Sequence, residues 1–164
     1  VRIETFLRQS PLFAVRRASR AFDRDLARIL QTREITFQEA LVLVSLLFEE
    51  PKAIKPSELA ETLSTTRGNV SHCVSSLEAK GLVRRRIDPA DARAFHVLLK
   101  PAGRSQAMRV VRILDRLQKD FERQIRASDL DTALSVIQKL EQICAALADS
   151  AHREQGSMKR LADA

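Results

Sequence analysis

Between Ser57 and Lys100 the hydrophobic period of the chain changes from helical to alternating, and this stretch restricts the possible folds more than any other. It reads SELAETLSTTRGNVSHCVSSLEAKGLVRRRIDPADARAFHVLLK. Leu59, Ala60 and Leu63 fall at helical spacing, which predicts a short amphipathic helix over 57–63. Ser64 and Thr65 break the pattern. Thr66 then stands where an N-cap belongs, its hydroxyl placed to accept a backbone N–H of the next turn. Val70, Val74 and Leu77 repeat at i, i+4 and i+7 with Cys73 beside them, which is the buried stripe of a second helix. The opposite face carries Gly68, His72, Ser75 and Ala79, flanked by Asn69 and Ser71, and is small and polar towards its N-terminal end. Gly81 follows Lys80 as the residue that ends the helix. Two β-type runs come next, Leu82–Ile87 and Phe95–Leu99, around the Pro- and Asp-containing segment 88–94, and they predict a hairpin. Alternation turns Arg85 the opposite way from Arg84 and Arg86.

Two short helices, a glycine stop and a basic hairpin make the layout of a winged helix-turn-helix. The predicted fold class is mainly α with a small β wing (α+β), with long helices at both ends of the chain. A small polar helix face can enter a DNA major groove about 12 Å wide and offer hydrogen bonds to base edges. The candidate contacts are Thr66, Arg67, Gly68, Asn69, Ser71, His72 and Ser75 on the helix, and Arg84 and Arg86 on the hairpin. Arg93, near the hairpin tip, suits the negative potential of a narrow minor groove. Asp91 can hold its guanidinium by a charge-assisted bond, and Asp88 supports the same turn. Taken singly, Arg84–Arg86 fit a solvated strand face and Arg93 an ordinary surface ion pair; the combination points to nucleic acid.

The residues LA-x3-L, then Val70-Ser71, then Leu77-Glu78-x2-Gly81-Leu82-Val83-x-Arg85, then Asp88-x2-Asp91-x-Arg93, and Leu98-x4-Gly103 resemble the MarR family of bacterial transcriptional regulators. The pattern covers about fifty residues of this chain. Two positions depart from it. Lys100 stands where the family often has Thr, which removes a cap from the following helix. His72 stands where relatives often have Arg, which bears on base preference and leaves the fold untouched. The resemblance implies a homodimer on double-stranded DNA, most often a repressor. It also implies a small anionic aromatic ligand between the flanking helices and the reader. Phe13, Phe22, Phe37 and Phe48, with Arg16, Arg17 and Arg20, are the candidate lining; plain core packing also accounts for the phenylalanines.

The flanking sequence fits that scheme. Ser10-Pro11 starts a helix, with Pro at its first position, and Leu12, Val15, Ala18, Phe22, Leu26 and Ile29 mark its apolar side to about Leu30. Val1–Gln9 extends this helix or packs on a partner. Thr36 and Glu39 form a capping box. The helix they open, Phe37 to about Phe48, is apolar nearly all round, as a central buried strut is. Ala53–Lys55 adds a short third strand to the wing. Pro101 begins a helix with a stripe at Met108, Val111, Leu114, Leu117 and Phe121, reaching Ile125 and spanning about 37 Å. Ser128-Asp129 caps the last helix, whose apolar face runs through Leu130, Leu134, Ile137, Leu140, Cys144 and Leu147; Asp149–Ala164 is read as a frayed polar tail. The expected organisation is a dimerisation helix over 1–35, the winged helix-turn-helix over 36–100, dimerisation helices over 101–150 and the tail over 151–164, together forming one compact domain. Apolar helices on both sides of the reader call for a two-fold partner to cover them.

Composition closes off other classes. A net charge of +7 over 164 residues favours a polyanionic partner. The excess is shared between the first thirty residues and the reader, so charge alone does not single out the site. No apolar run approaches the ~20 residues of a membrane span, and no signal peptide is visible, so the expected location is the cytoplasm. There is no phosphate-cradling glycine loop, no HExxH and no CxxC, and His72, His96 and His152 lack ligand spacing, so neither an enzyme, a metal nor a cofactor is expected. His96 is expected on the wing surface. Two cysteines, Cys73 and Cys144, are too few for a disulfide framework. Both are read as small buried hydrophobes, with a redox-responsive regulator using Cys73 as an alternative. A winged helix that contacts only protein is the other alternative.

Overall fold

The structure, a computed structural model, describes the backbone of residues 2–88 and 91–162 and the side chains of 2–88 and 94–150. By internal contacts the chain groups into two compact units, Val1–Leu117 and Gln118–Ala164. The described elements follow the order α1 (Arg2–Gln9), α2 (Pro11–Gln31), α3 (Phe37–Phe48), α4 (Pro56–Thr62), α5 (Arg67–Ala79), β1 (Val83–Asp88), β2 (Asp91–Leu99), α6 (Pro101–Gln124) and α7 (Ala127–Ala162). This is the helical fold with a small two-stranded wing that the sequence predicts.

The N-terminal residues do not extend α2. They form a separate helix, because Pro11 has no N–H to continue the backbone ladder and Ser10 is extended at φ −79°, ψ 122°. The capping box forms at the start of α3: Glu39 N–H donates to Thr36 Oγ1 at 3.2 Å, and Thr36 N–H donates to Glu39 Oε2 at 2.7 Å. Helix α3 buries Ala40, Val42, Leu43, Val44 and Leu46. Around it the core of the first unit gathers Leu26, Leu30 and Ile35, Leu59 and Ala60, Val70, Val74 and Leu77, Val83 and Val97, and Ala107 and Val110. A helix apolar on every side has no solvent face to spare, and α2, α5 and β2 pack around it.

Strands β1 and β2 pair antiparallel, with Arg85 opposite Val97 and Arg86 opposite His96. The second strand starts at Asp91 rather than at Phe95, since Asp88 pairs with Asp91 across an irregularity after Ile87. Ile54 forms an isolated bridge to Val97, whose N–H donates to the Ile54 carbonyl at 2.8 Å, so the expected third strand is reduced to a single bridge beside a two-stranded sheet.

Helix α7 corrects two expectations. It begins at Ala127, with the Leu130 N–H on the Arg126 carbonyl at 3.1 Å, so Ser128 lies inside the first turn instead of capping it. Its backbone stays helical to Ala162 in place of a frayed tail. Residues 151–162, AHREQGSMKRLA, are mostly strong helix formers, and Gly156 alone opposes them. Cys144, placed by periodicity on an apolar face, is exposed. Among the described residues no helix is long and apolar enough to cross a membrane.

Candidate nucleic-acid interface

Helix α5 is positioned at both ends by local chemistry. At its start, Thr66 Oγ1 accepts the Asn69 N–H at 3.2 Å, and Asn69 Nδ2 donates to Thr65 Oγ1 at 2.9 Å. At its end, Gly81 takes φ +71°, its N–H donates to the Glu78 carbonyl, and the Leu82 N–H donates to the Leu77 carbonyl, each at 2.9 Å. These two bonds make a Schellman stop, which needs a left-handed residue that glycine supplies without steric cost. Val70, Cys73, Val74 and Leu77 are buried beneath the helix. Thr66, Arg67, Gly68, Ser71, His72 and Ser75 are exposed above it, and Asn69 is half-buried.

The far end of α5 is tied to the core by charge. Lys80 Nζ lies 2.8 and 2.9 Å from the two carboxylate oxygens of Glu39, which is 3% exposed. Burial pushes the Glu39 carboxyl upward, but hydrogen bonds from Lys80, Ser76 and the Thr36 backbone outweigh it and hold the group below its ordinary value.

On the wing, Arg84 and Arg86 are exposed on the strand face shared with Leu98 and His96. Arg85 faces the other way, as alternation predicts, and turns towards α5. Asp88 is buried at 7% exposure, within 2.7 Å of Lys55 Nζ and 3.9 Å of His96 Nε2. It therefore braces the wing against the residue entering α4. His96 is half-buried instead of lying on the wing surface, with its Nε2 3.9 Å from the buried Asp88 carboxylate. The side chains of Asp91 and Arg93 lie outside the described residues.

Gly68 and Gly103 have opposite reasons for being glycine. A Cβ on Gly68 would meet nothing closer than Thr66 Oγ1 at 3.9 Å, so the fold leaves that position open. A Cβ on Gly103 would lie 1.9 Å from the Leu82 carbonyl oxygen, which also accepts the Lys100 N–H at 2.9 Å. Gly103 lets α6 start directly against the root of the wing.

Cys73 does not have the chemistry of a thiolate sensor. Burial first, and the Glu39 charge second, push its thiol above the ordinary value, whereas a reactive thiolate needs it lowered. The residues proposed to line a ligand pocket are dispersed. Phe37 meets Phe22 edge-on at 5.9 Å, beside an open cavity of about 480 Å³ lined by Arg28, Gln31 and Ile35. Phe13 stacks edge-on with Phe6 at 5.9 Å, and Arg17 donates to the Leu7 carbonyl at 2.7 Å. Arg16 and Arg20 are exposed on α2, and Phe48, 71% exposed, lines a different cavity with Ile54 and Leu59. Among the described residues no group of three or more His, Cys, Asp or Glu is placed to hold a metal ion.

Residues that periodicity alone could not assign are Arg85, Glu39 and Lys80. Arg85 carried a partial signal, in that strand alternation set it apart from its neighbours.

Residues 34–94 match the model of the MarR family. A putative transcriptional regulatory protein for the hcr operon of Thauera aromatica is 25% identical over 128 residues, 78% of this chain and 76% of that protein. The HTH-type transcriptional regulator TtmR of Methylorubrum extorquens is 36% identical over 92 residues, which are 56% of this chain and 46% of TtmR. The match therefore spans less than half of the second relative. Among solved structures, a MepR–DNA complex from S. aureus superposes with a TM-score of 0.75 at 20% identity, covering 80% of this chain and 96% of that one. The MarR family transcription regulator SP03579 gives 0.75 at 21% identity, covering 89% and 95%. At these identities the structural likeness establishes the fold.

Proposed function

We propose that this chain, whose residues 34–94 match the MarR family model, is a transcriptional regulator of that family that binds double-stranded DNA as a homodimer and represses transcription from a pseudo-palindromic operator. The observation that carries this reading is the exposed polar face of the Thr66-capped helix, Gly68, Ser71 and His72, set beside a wing bearing exposed Arg84 and Arg86. The helix N-terminus adds its positive dipole end, which favours a phosphate next to Arg67. Buried Asp88 and the Gly81 stop hold these parts in place from below.

A partner copy follows from what one protomer leaves uncovered. Ile3, Phe6, Leu12 and Phe22 are 57, 58, 49 and 48% exposed in the first unit, and Leu134, Val136 and Leu147 are 50, 56 and 64% exposed in the second. Apolar exposure on this scale marks an interface. Two-fold symmetry then presents two reading helices about 34 Å apart, one turn of DNA. A small aromatic anion as effector belongs to the same proposal; its support within one protomer is the Phe22–Phe37 edge with Arg28 close by.

The test combines oligomeric state with DNA binding. Light scattering should give twice the protomer mass. Anisotropy against duplexes selected from random DNA should show affinity falling linearly in log salt, with a slope near −0.9 per phosphate contacted. A monomer, or binding indifferent to salt, refutes the proposal.

A further inference from the structure

The Phe48 cavity, with Glu49, Lys52 and Glu58 at its rim, carries mixed charge that selects no ligand class. The arginine stripe on α2 fits any polyanion equally. The junction between wing and α5, by contrast, is built from specific, short, directional contacts.

Arg85 Nη2 donates to Ser75 Oγ at 2.6 Å, and its Nε lies 3.3 Å from Glu78 Oε2. The Arg85 backbone N–H donates to Glu78 Oε1 at 3.2 Å. The guanidinium carbon sits 4.8 Å from the Phe95 ring centroid. One side chain on β1 thus engages two residues of α5 and one of β2. A planar guanidinium can satisfy a carboxylate, a hydroxyl and an aromatic face at once, and an ammonium cannot. Ser75 Oγ also donates to the Ser71 carbonyl at 2.9 Å. Its single proton and an acceptor position are therefore both engaged inside the protein.

We propose that Arg85 is the positioning residue of the DNA-contacting surface: it sets the wing relative to the reading helix through Ser75 and Glu78, and takes the Ser75 hydroxyl out of base recognition. This rests on the DNA-binding reading above. It revises that reading at one point, since Ser75 leaves the set of base contacts. Ser71 and His72 remain, both exposed. Arg85 differs in kind from Arg84 and Arg86, which are exposed on the opposite strand face and are the proposed phosphate contacts.

The experiment measures anisotropy with a duplex selected by the wild-type protein, alongside urea unfolding of each variant without DNA. Arg85→Ala and Ser75→Ala should each weaken binding by about tenfold, and the double variant should lose little more, because the two act as one contact. The log-salt slope of Arg85→Ala should equal that of wild type, whereas Arg84→Ala should make it shallower by about 0.9. Arg85→Lys should fail to restore affinity. Sequences selected by Ser75→Ala should match those selected by wild type. Rescue by lysine with a shallower slope for alanine makes Arg85 a phosphate contact and overturns the proposal, as does a relaxed base preference in Ser75→Ala. Independent losses for Arg85 and Ser75 in the urea series overturn it without reference to DNA. Should the wild type bind no duplex, the functional reading fails, while coupling in the urea series still reports on the Arg85–Ser75 junction by itself.

Discussion

Lys80 closes over Glu39 across 41 residues of sequence, with its ammonium in contact with both carboxylate oxygens at once. The same carboxylate accepts the Thr36 backbone N–H at the start of α3. One buried side chain therefore caps the central helix and anchors the end of the reading helix. Because the Glu39 carboxyl is held below its ordinary value, its contribution is complete above that value, 4.5, and is lost as pH falls through the lower folded value. Glu39→Gln should lower unfolding stability by about 2 kcal/mol at neutral pH, the loss expected for hydrogen bonds to a charged group. That deficit should shrink below pH ~4 as the wild-type group protonates. Urea titrations at several pH values would read this, and a deficit constant from pH 7 to 3 would contradict it.

Gly103→Ala should destabilise the protein, because its methyl group would meet the Leu82 carbonyl oxygen at 1.9 Å and neither backbone can yield freely. Overpacking of this kind costs about 1–3 kcal/mol or more. Thermal unfolding should show a lowered Tm, and an unchanged Tm would mean that α6 can slide away from the wing at no cost.

Gly68→Ala should separate stability from binding. The fold offers room for a methyl group there, and alanine is the better helix former, so stability should hold or rise slightly. The position is exposed on the face assigned to the major groove. Affinity for selected duplexes should fall while Tm does not, and unaltered affinity would place the DNA backbone further from the start of α5.

Cys73 should resist oxidation. It is 6% exposed with its thiol pushed upward, so a Cys144→Ser variant treated with millimolar peroxide should keep its full DNA affinity. Loss of binding that a thiol reductant reverses would reinstate the redox alternative.

Placing a charge on the exposed apolar face of α7 should break the assembly. Ile137→Asp alters a side chain that is 38% exposed in one protomer. Light scattering should then report single chains at concentrations where wild type is dimeric, and a persistent dimer would move the interface elsewhere.

Much of the fold was legible because its signals are local. The Thr36 box, the Thr66 cap and the Gly81 stop each lie within one helical turn, and the stripe through Val70, Val74 and Leu77 needs only the helical period. Strand alternation separated Arg85 from Arg84 and Arg86. What escaped was set by distance in sequence: the choice of Lys80 by Glu39, the pairing of Lys55 with Asp88, and the approach of Leu82 to Gly103. Over Asp149–Ala162 polarity points to fraying and helix propensity to a continued helix, and propensity prevails. Phe13, Phe37 and Phe48, grouped by residue type, lie against different neighbours within one protomer.

The Leu82 carbonyl receives the Lys100 N–H, so the hairpin is pinched shut where it leaves and rejoins the helical body. Val83 and Val97, just beyond that pinch, and Asp88 further along β1 are buried, while Arg84 and Arg86 between them are exposed. Lengthening or shortening the turn beyond Asp88, whose carboxylate ties the wing to Lys55, would on the DNA-binding reading change how far the hairpin reaches along a duplex and leave the buried body as it is. On that reading, a new footprint can be acquired by altering a few residues there, with no repair needed in the interior.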